Sequence, residues 1–430
     1  MSASPKHAPD RRRQWAWALY DWGNSAFATT VMAGFFPIFF NQYWATDLGA
    51  AGATFWLGAA SSLSSLLIVL LAPLAGTVAD RSALKKPFLA VFTVLGVLST
   101  AALSTVAAGR WQPAIALFAL GSVAFMGGTV FYDALLVSVA EPDRYDRVSS
   151  LGYGLGYLGG GLLFALNVAM ALKPEAFGLA DAAAATRLSF LMVAAWWGLF
   201  SLPLFAYVPE PREARRPLLP EIARGVGELL ATYRELRAHR DVWIFLLAYW
   251  LYIDGVDTII RMAVDYGLAL GFESSALITA LLMVQFIGFP AAIVFGRLGE
   301  RLGTRGALFA GLGVYIGVTA YAVTMRTQAQ FYVMAAVVGL VQGGVQALSR
   351  SYFARLIPPE RSGQFFGFYN MLGKFAAVLG PLAVGSTRAL TGDARLSILV
   401  LLLFFVGGIW LLSRVRAPVS SQPTAAMERR

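Results

Sequence analysis

Twelve apolar stretches, each near the roughly 20 residues an α-helix needs to cross a bilayer, dominate the 430-residue chain. Hydrocarbon offers backbone N–H and C=O groups no partner, so such stretches fold with their backbone bonds satisfied inside each helix. The expected spans are 15–43, 54–79, 87–108, 112–139, 150–172, 187–208, 242–263, 273–297, 307–325, 328–356, 363–388 and 395–414. Composition agrees: 58% of residues are hydrophobic and 13% charged, too few polar groups to cover a soluble domain of this length. The expectation is an all-α membrane protein of twelve transmembrane helices in two pseudo-symmetric six-helix bundles.

The 34 Lys and Arg set the sidedness. Sorted by alternating loops, 25 fall on the side of the amino terminus and six on the other, with Arg261, Arg350 and Lys374 inside spans. Cytoplasmic loops carry the basic excess, so both termini are expected in the cytoplasm. Lys6 and Arg11, Arg12 and Arg13 precede an apolar run, as in a secretory leader. That run contains Asp21 and Asn24 and lacks a small-residue cleavage pattern, so it reads as an uncleaved first span. The net charge of +10 comes from loops rather than from a basic stripe interleaved with aromatics, which argues against a nucleic-acid partner. There is no Cys, and both His, His7 and His239, lie in polar segments, so neither a metal nor a cofactor is expected in the membrane.

One long connection, residues 209–241, opens with Pro209-Glu210-Pro211-Arg212 and carries seven Arg. It divides the chain into a first bundle, 1–208, a linker, 209–241, and a second bundle with a short tail, 242–430. In the linker Leu218, Leu219, Ile222, Val226, Leu229, Leu230, Tyr233 and Leu236 recur at helical spacing. That pattern suits an amphipathic helix on the inner membrane face, or a solvated extension of the seventh helix.

The two bundles resemble each other. Gly76-Thr77-Val78-Ala79-Asp80-Arg81 ends the second span, and Gly296-Arg297-Leu298-Gly299-Glu300-Arg301 ends the eighth. The fourth and tenth spans carry Gly127-Gly128 and Gly343-Gly344, followed by Pro142-Asp143-Arg144 and Pro359-Glu360-Arg361. Matches in the same order support an internal duplication, which transporter folds use to alternate access by rocking one half on the other. In each Gly-x-x-x-acid-Arg pattern the Gly allows two helices to approach, and the acid and Arg can bridge to a neighbouring helix end in one conformation only. Gly76, Asp80, Arg81, Gly296, Glu300 and Arg301 are therefore the candidate gate.

Ionisable residues inside spans cost at least about 2.5 kcal/mol each on the insertion scale, so they face a polar cavity or a partner. They sit deep only in the first, fourth, seventh, tenth and eleventh spans, while the third, sixth, ninth and twelfth carry none away from their ends. Asp21, Asn24 or Ser25, and Ala28 share one face of the first helix. Tyr132 and Asp133 follow in the fourth. In the seventh, Asp254, Asp257 and Arg261 lie near one face; an Asp257–Arg261 pair at i,i+4 would leave Asp254 with the free charge. The tenth sets Gln342, Gln346 and Arg350 at four-residue steps, and the eleventh adds Tyr369, Asn370 and Lys374. A substrate carboxylate matches Arg350 or Lys374 and an ammonium matches Asp21 or Asp254, which suits a zwitterion; the same charges also suit ion pairs that neutralise one another without substrate. Gly152, Gly154, Gly156, Gly159, Gly160 and Gly161 leave the fifth helix bare, for close packing or for sliding.

The Gly76 to Arg81 pattern, followed by Lys85-Lys86 and repeated in the second half with Gly303 and Arg305, resembles the major facilitator superfamily. The first copy departs from that family in having Ser82-Ala83-Leu84 where a Gly is usual. Tyr20-Asp21-Trp22-Gly23-Asn24-Ser25 resembles the opening signature of its vacuole-effluxer-like branch, whose fungal members are associated with exporting amino acids from the vacuole. Tyr252-Ile253-Asp254-Gly255-Val256-Asp257-Thr258, Gly344-Val345-Gln346-Ala347-Leu348-Ser349-Arg350-Ser351 and Gly367-Phe368-Tyr369-Asn370 extend the resemblance through the second half. Phe131-Tyr132-Asp133-Ala134 departs from it, with Asp133 where an Asn is expected. The resemblance implies a secondary transporter of a small polar solute such as an amino acid, working by alternating access; separately, the burial of Asp21 and Asp254 near basic residues makes them the candidate carriers of a coupling proton. A monomer in a bacterial inner membrane is expected, with the bilayer and a small-molecule substrate as its partners. Drug or sugar efflux by the same fold, and a receptor without transport, remain alternatives. A membrane enzyme is disfavoured by the missing His and Cys ligands and by the absence of a Gly-x-Ser-x-Gly motif.

Overall fold

The structure is a computed structural model and describes residues 10–210, 234, 236–237, 239–269, 274–392 and 394–416. Twelve long helices run through it in alternating directions. The first half comprises α1 (Arg11–Trp44), α2 (Gly49–Ser82), α3 (Lys85–Leu103), α4 (Trp111–Ala134), α5 (Tyr145–Leu172) and α6 (Ala182–Tyr207). The second comprises α7 (Arg240–Ala269), α8 (Ser274–Leu302), α9 (Thr304–Thr324), α10 (Gln328–Leu356), α11 (Ser362–Thr391) and α12 (Arg395–Ser413). Eleven of them are long and apolar enough to cross a membrane; α11, with Lys374 and Arg388, is the twelfth by position. The segment expected to form the linker helix, residues 211–233, lies outside the described residues.

Helix ends follow local chemistry. Asp10 caps α1, accepting from the backbone N–H of Arg12 at 3.1 Å, and Asp181 caps α6 by accepting from Ala184 N at 2.7 Å. Thr327 and Gln330 form a reciprocal capping box at α10. The turn between α8 and α9 is sharp because Gly303 takes a φ of 76°, a left-handed conformation open to glycine. Several helices outrun the apolar stretches that announced them: α2 continues through Asp80 and Arg81, and α8 through Glu300 and Arg301. Helix α1 widens to π-type turns over Phe27–Phe35, a change the sequence did not announce.

Within the first half α1 lies along α5 and α6, and α4 along α2 and α3; the second half repeats this, α7 lying along α11 and α12 and α10 along α8 and α9. Between halves α2 runs beside α11, and α5 beside α8 and α10. The α2–α11 approach is backbone to backbone, because a Cβ on Gly76 would run into the Gly363 carbonyl. At the end away from the termini Phe36, Phe118, Trp44 and Phe190 stack into a buried aromatic core of the first half. Leu63, Leu66, Leu70, Val91, Leu98 and Leu403 are exposed, as lipid-facing positions are. Alternating helices bring Asp10 and Arg416 to one end of the bundle, where Arg416 N donates to Asp241 at 3.1 Å and Arg305 donates to the Val415 carbonyl at 2.6 Å.

Candidate functional site

Between the halves lies a cavity of about 390 Å³ bounded by α1, α4, α5, α7, α8, α10 and α11. Its walls are apolar where they reach the first turns of α8 and α10, with Leu277, Leu281, Phe331, Met334 and Val338. Its floor, halfway down the helices, is polar. Asp21, Asn24, Tyr132, Gln342, Gln346, Arg350 and Lys374, all expected from the sequence, line it together. Ser25, Thr29, Tyr153, Tyr157 and Gln285 complete the polar lining. Tyr153 and Tyr157 were missed because the glycines around them draw attention to packing, yet their i,i+4 spacing sets both rings on one face.

Asp21 accepts from the Ser25 hydroxyl and from the Tyr132 hydroxyl, each at 3.3 Å. Tyr132 is held in place by stacking on Trp17, with ring centroids 4.4 Å apart, while the Trp17 indole N–H donates to the Tyr132 carbonyl at 2.9 Å. Asn24 is buried, and among the described residues its side-chain carbonyl has no hydrogen-bond donor. The Tyr157 hydroxyl approaches Gln346 at 3.5 Å, and Gln285 donates to Thr29 at 2.6 Å.

Arg350 belongs to the floor and also to the layer beneath it. Its guanidinium donates to Asp133 at 3.0 Å, through Nε to the Ser149 hydroxyl and through a terminal nitrogen to the Ser149 carbonyl, both at 2.9 Å. Asp21 stands 4.0 Å away. The second Asp133 oxygen accepts from Asn370 at 3.1 Å. Asp133 thus clasps α10 and α11 of the other half, and Arg350 has a partner without any substrate. Lys374 stands within electrostatic range of Asp133.

Below this layer, at the end carrying the termini, two carboxylates close the bundle. Asp80 pairs with Lys85 at 2.8 Å and accepts from the backbone N–H of Gly363 at 3.0 Å and of Gln364 at 2.7 Å, in the first turn of α11. A carboxylate there also meets the positive end of the helix dipole. Lys85 in turn donates to the Ser362 hydroxyl at 2.9 Å. Asp146 pairs with Arg355 at 2.7 Å and accepts from Thr304 at 2.7 Å and from the Ser351 hydroxyl.

Several expected site residues sit elsewhere. Asp254 does not line the cavity: it is 1% exposed and accepts from the backbone N–H of Gly380 at 2.9 Å and from Thr258 at 3.4 Å. Its negative charge meets a backbone donor of α11, which no pattern in α7 reveals. Asp257 lies within electrostatic range of Tyr153 and Tyr157, and the Arg261 side chain lies outside the described residues, so its pairing with Asp257 does too. Tyr369 is buried against Tyr249, centroids 4.1 Å apart, and Asn370 serves the layer below the floor. Of the candidate gate residues, Gly76 and Asp80 contact Gly363 and Gln364 of the other half, with Arg81 half-buried beside them. Gly296 packs on Ser150 and Asp146 of α5, but Glu300 and Arg301 are exposed and the bridging acid on that side is Asp146. The acid there sits on the opposite helix of the contact.

The chain matches the family model described as vacuole effluxer Atg22 like over residues 53–143 and 137–423. It is 39% identical over 409 residues to an uncharacterized MFS-type transporter, YxiO, of Bacillus subtilis, covering 94% of this chain and 95% of that one. It is 27% identical to autophagy-related protein 22 of Cryptococcus neoformans, over 63% of this chain and 52% of the fungal protein, so it spans about half the length of such relatives. Among solved structures it superimposes on the human organic anion transporter MFSD10 with a TM-score of 0.73 at 16% identity, covering 94% of this chain and 100% of that one. The proton:xylose symporter XylE gives 0.67 at 13% identity, over 94% and 95%.

Proposed function

We infer the function from the premise that this chain belongs to the vacuole effluxer Atg22-like family and is a multi-pass membrane transporter of the major facilitator fold. The carried solute is a small zwitterion, an amino acid in the simplest case, and it reaches the cavity from alternate sides as the halves rock. What supports this reading is the division of polarity in the floor. Asp21 offers its carboxylate to an ammonium group, while Lys374, Gln342 and Gln346 offer donors to a carboxylate. Arg350 serves the cycle differently. Held by Asp133 and 4.0 Å from Asp21, it links the floor to the layer that closes the termini end, so a solute carboxylate that draws it upward weakens that closure.

A proton is the coupling ion in this reading, and Asp21 carries it, because the ammonium group and a proton compete for one carboxylate. Asp254, saturated by Gly380 and Thr258, is the weaker candidate. With 25 of 34 basic residues on the termini side, that side faces the cytoplasm, and the membrane is a bacterial inner membrane.

The test is counterflow of labelled amino acids, sugars and lipophilic cations into vesicles holding the purified protein, with and without an imposed proton gradient. Amino acids are expected to exchange, and Asp21→Asn to abolish their response to the gradient. Exchange of sugars or lipophilic cations alone would overturn the substrate class, and an unaltered gradient response in Asp21→Asn would overturn the coupling residue.

A further inference from the structure

At the end carrying the termini, α1, α5 and α8 leave between them a second cavity, of about 410 Å³. Arg11 enters it from the first turn of α1, Arg144 and Arg147 from the start of α5, and Arg297 from the end of α8. Among the described residues no hydrogen bond or ion pair engages any of these four guanidinium groups. Neighbouring arginines are occupied: Arg12 lies over the Tyr207 ring at 3.7 Å, Arg13 pairs with Asp10 at 2.7 Å, and Arg355 pairs with Asp146. One carboxylate, Glu300, faces the four cations across the lining. Like charges gathered in a concavity repel one another, and a bound anion removes that cost.

The remaining wall is apolar apart from Gln14. Trp15, half exposed, stands with Leu151 and Ile293 on the membrane side of the arginines. Trp at this height matches the interfacial belt of a bilayer, and basic pockets between transmembrane helices suit lipid headgroups. A soluble anion would engage the arginines and leave the apolar wall in water. A phospholipid uses both, with its phosphate among the guanidinium groups and its glycerol and first acyl carbons against Trp15, Leu151 and Ile293. We propose that this cavity binds the phosphate of an anionic phospholipid from the adjoining leaflet. The lipid touches both halves, through Arg11, Arg144 and Arg147 on one and Arg297 on the other. It therefore favours the conformation in which α5 and α8 lie together. The site stands whatever solute the central cavity carries.

The test is native mass spectrometry of the full-length protein in detergent, titrated with phosphatidylglycerol or phosphatidylcholine, and in separate arms with inorganic phosphate or glycerol phosphate competing. Phosphatidylglycerol is expected to be retained in preference by the wild type and by Arg414→Gln/Arg416→Gln, a control that removes the same two charges just past the end of α12. The double variant Arg147→Gln/Arg297→Gln is expected to lose at least about tenfold in phosphatidylglycerol affinity. Arg147→Lys/Arg297→Lys, which keeps the charge, is expected to retain most of it. Equal retention of phosphatidylcholine, unchanged binding in the glutamine variant, or a lysine variant as weak as the glutamine one would overturn the site. Displacement of the lipid by millimolar inorganic phosphate would reassign it to a soluble anion.

Discussion

Asp133→Asn tests whether the buried layer beneath the cavity holds the bundle shut. The ion pair it removes joins α4 of one half to α10 of the other across 3.0 Å, with both side chains almost fully buried. Breaking one partner of such a pair costs about 3–5 kcal/mol, because the other charge is left without its counterion. Arg350 keeps its two bonds to Ser149 and has Asp21 at 4.0 Å, and an asparagine at 133 keeps an oxygen acceptor. Those remaining contacts bring the expected loss down to about 2–3 kcal/mol. The loss falls on the closed arrangement alone, since opening separates the two helices and hydrates both groups. The equilibrium should then move roughly 30- to 150-fold toward opening at the termini end. The chain has no cysteine, so spin labels at Asp143→Cys and Glu360→Cys, exposed positions on opposite halves, need no background substitutions. Pulsed electron-electron resonance should show a longer-distance population appear in the variant without substrate. Combined with Arg350→Gln, the two effects should sum to less than their separate values. A distance distribution superimposable on that of the unsubstituted labelled protein would refute the argument that this pair is a latch.

Three further outcomes follow from other contacts. Gly76→Ala drives a methyl group into the Gly363 carbonyl, a backbone atom unable to swing aside, so the same label pair should report the open end without any change of charge; a closed distribution would show that α2 and α11 can part without opening the gate. Gly380→Ala places a methyl group against the Thr258 hydroxyl and the Asp254 carboxylate, and should lower the thermal midpoint by several degrees in differential scanning fluorimetry; a midpoint equal to the wild type would mean that α7 and α11 do not depend on this contact. Burial raises the Glu210 carboxyl above the usual range while its side chain accepts from Lys86 N at 3.2 Å, so the folded state holds its proton more tightly than the unfolded chain. Stability from this group is therefore present at low pH and declines as pH rises through the raised value; Glu210→Gln should remove that decline, and parallel stability–pH curves for the two proteins would contradict it.

The convergence of Asp21, Tyr132, Gln346 and Lys374 on one cavity was legible because ionisable and amide groups on apolar helices have few destinations. Helical periodicity assigns their faces, and a duplicated twelve-helix chain supplies the shared hollow. Asp254 shows where that logic stops. Its partner is the backbone N–H of Gly380, and any helix carries backbone N–H groups at every residue, so no side-chain pattern distinguishes a deep carboxylate with such a donor from one that faces water. Asp80 was legible from its motif as an acid that bridges to a neighbouring helix end, whereas its target, the first turn of α11, emerges only once α2 and α11 are side by side. Asp146 carried no signal of its own, being an acid at a helix start where acids are common.

The backbone duplication is close, and the charge pattern breaks it in a consistent direction. Gly76 meets α11 and Gly296 meets α5, so each half offers the other a small residue at the same place. The acids do not follow that symmetry. Asp80, Asp133 and Asp146 all belong to the first half, while Arg350, Arg355, Asn370 and the amino-terminal turn of α11 belong to the second. An acid at Asp146, in the first turn of α5, facing Arg355, in the last turn of α10, also suits both helix dipoles. A copy with Glu300 as the bridge would have set acids on both sides of the interface and cancelled part of this attraction. By turning Glu300 outward and bridging with Asp146, the chain makes one half the donor of negative charge and the other its receiver. Closure at the termini end is then a match between two unlike surfaces. In the proposed cycle it loosens when a solute carboxylate competes for Arg350 or a proton neutralises Asp21, 4.0 Å from that guanidinium.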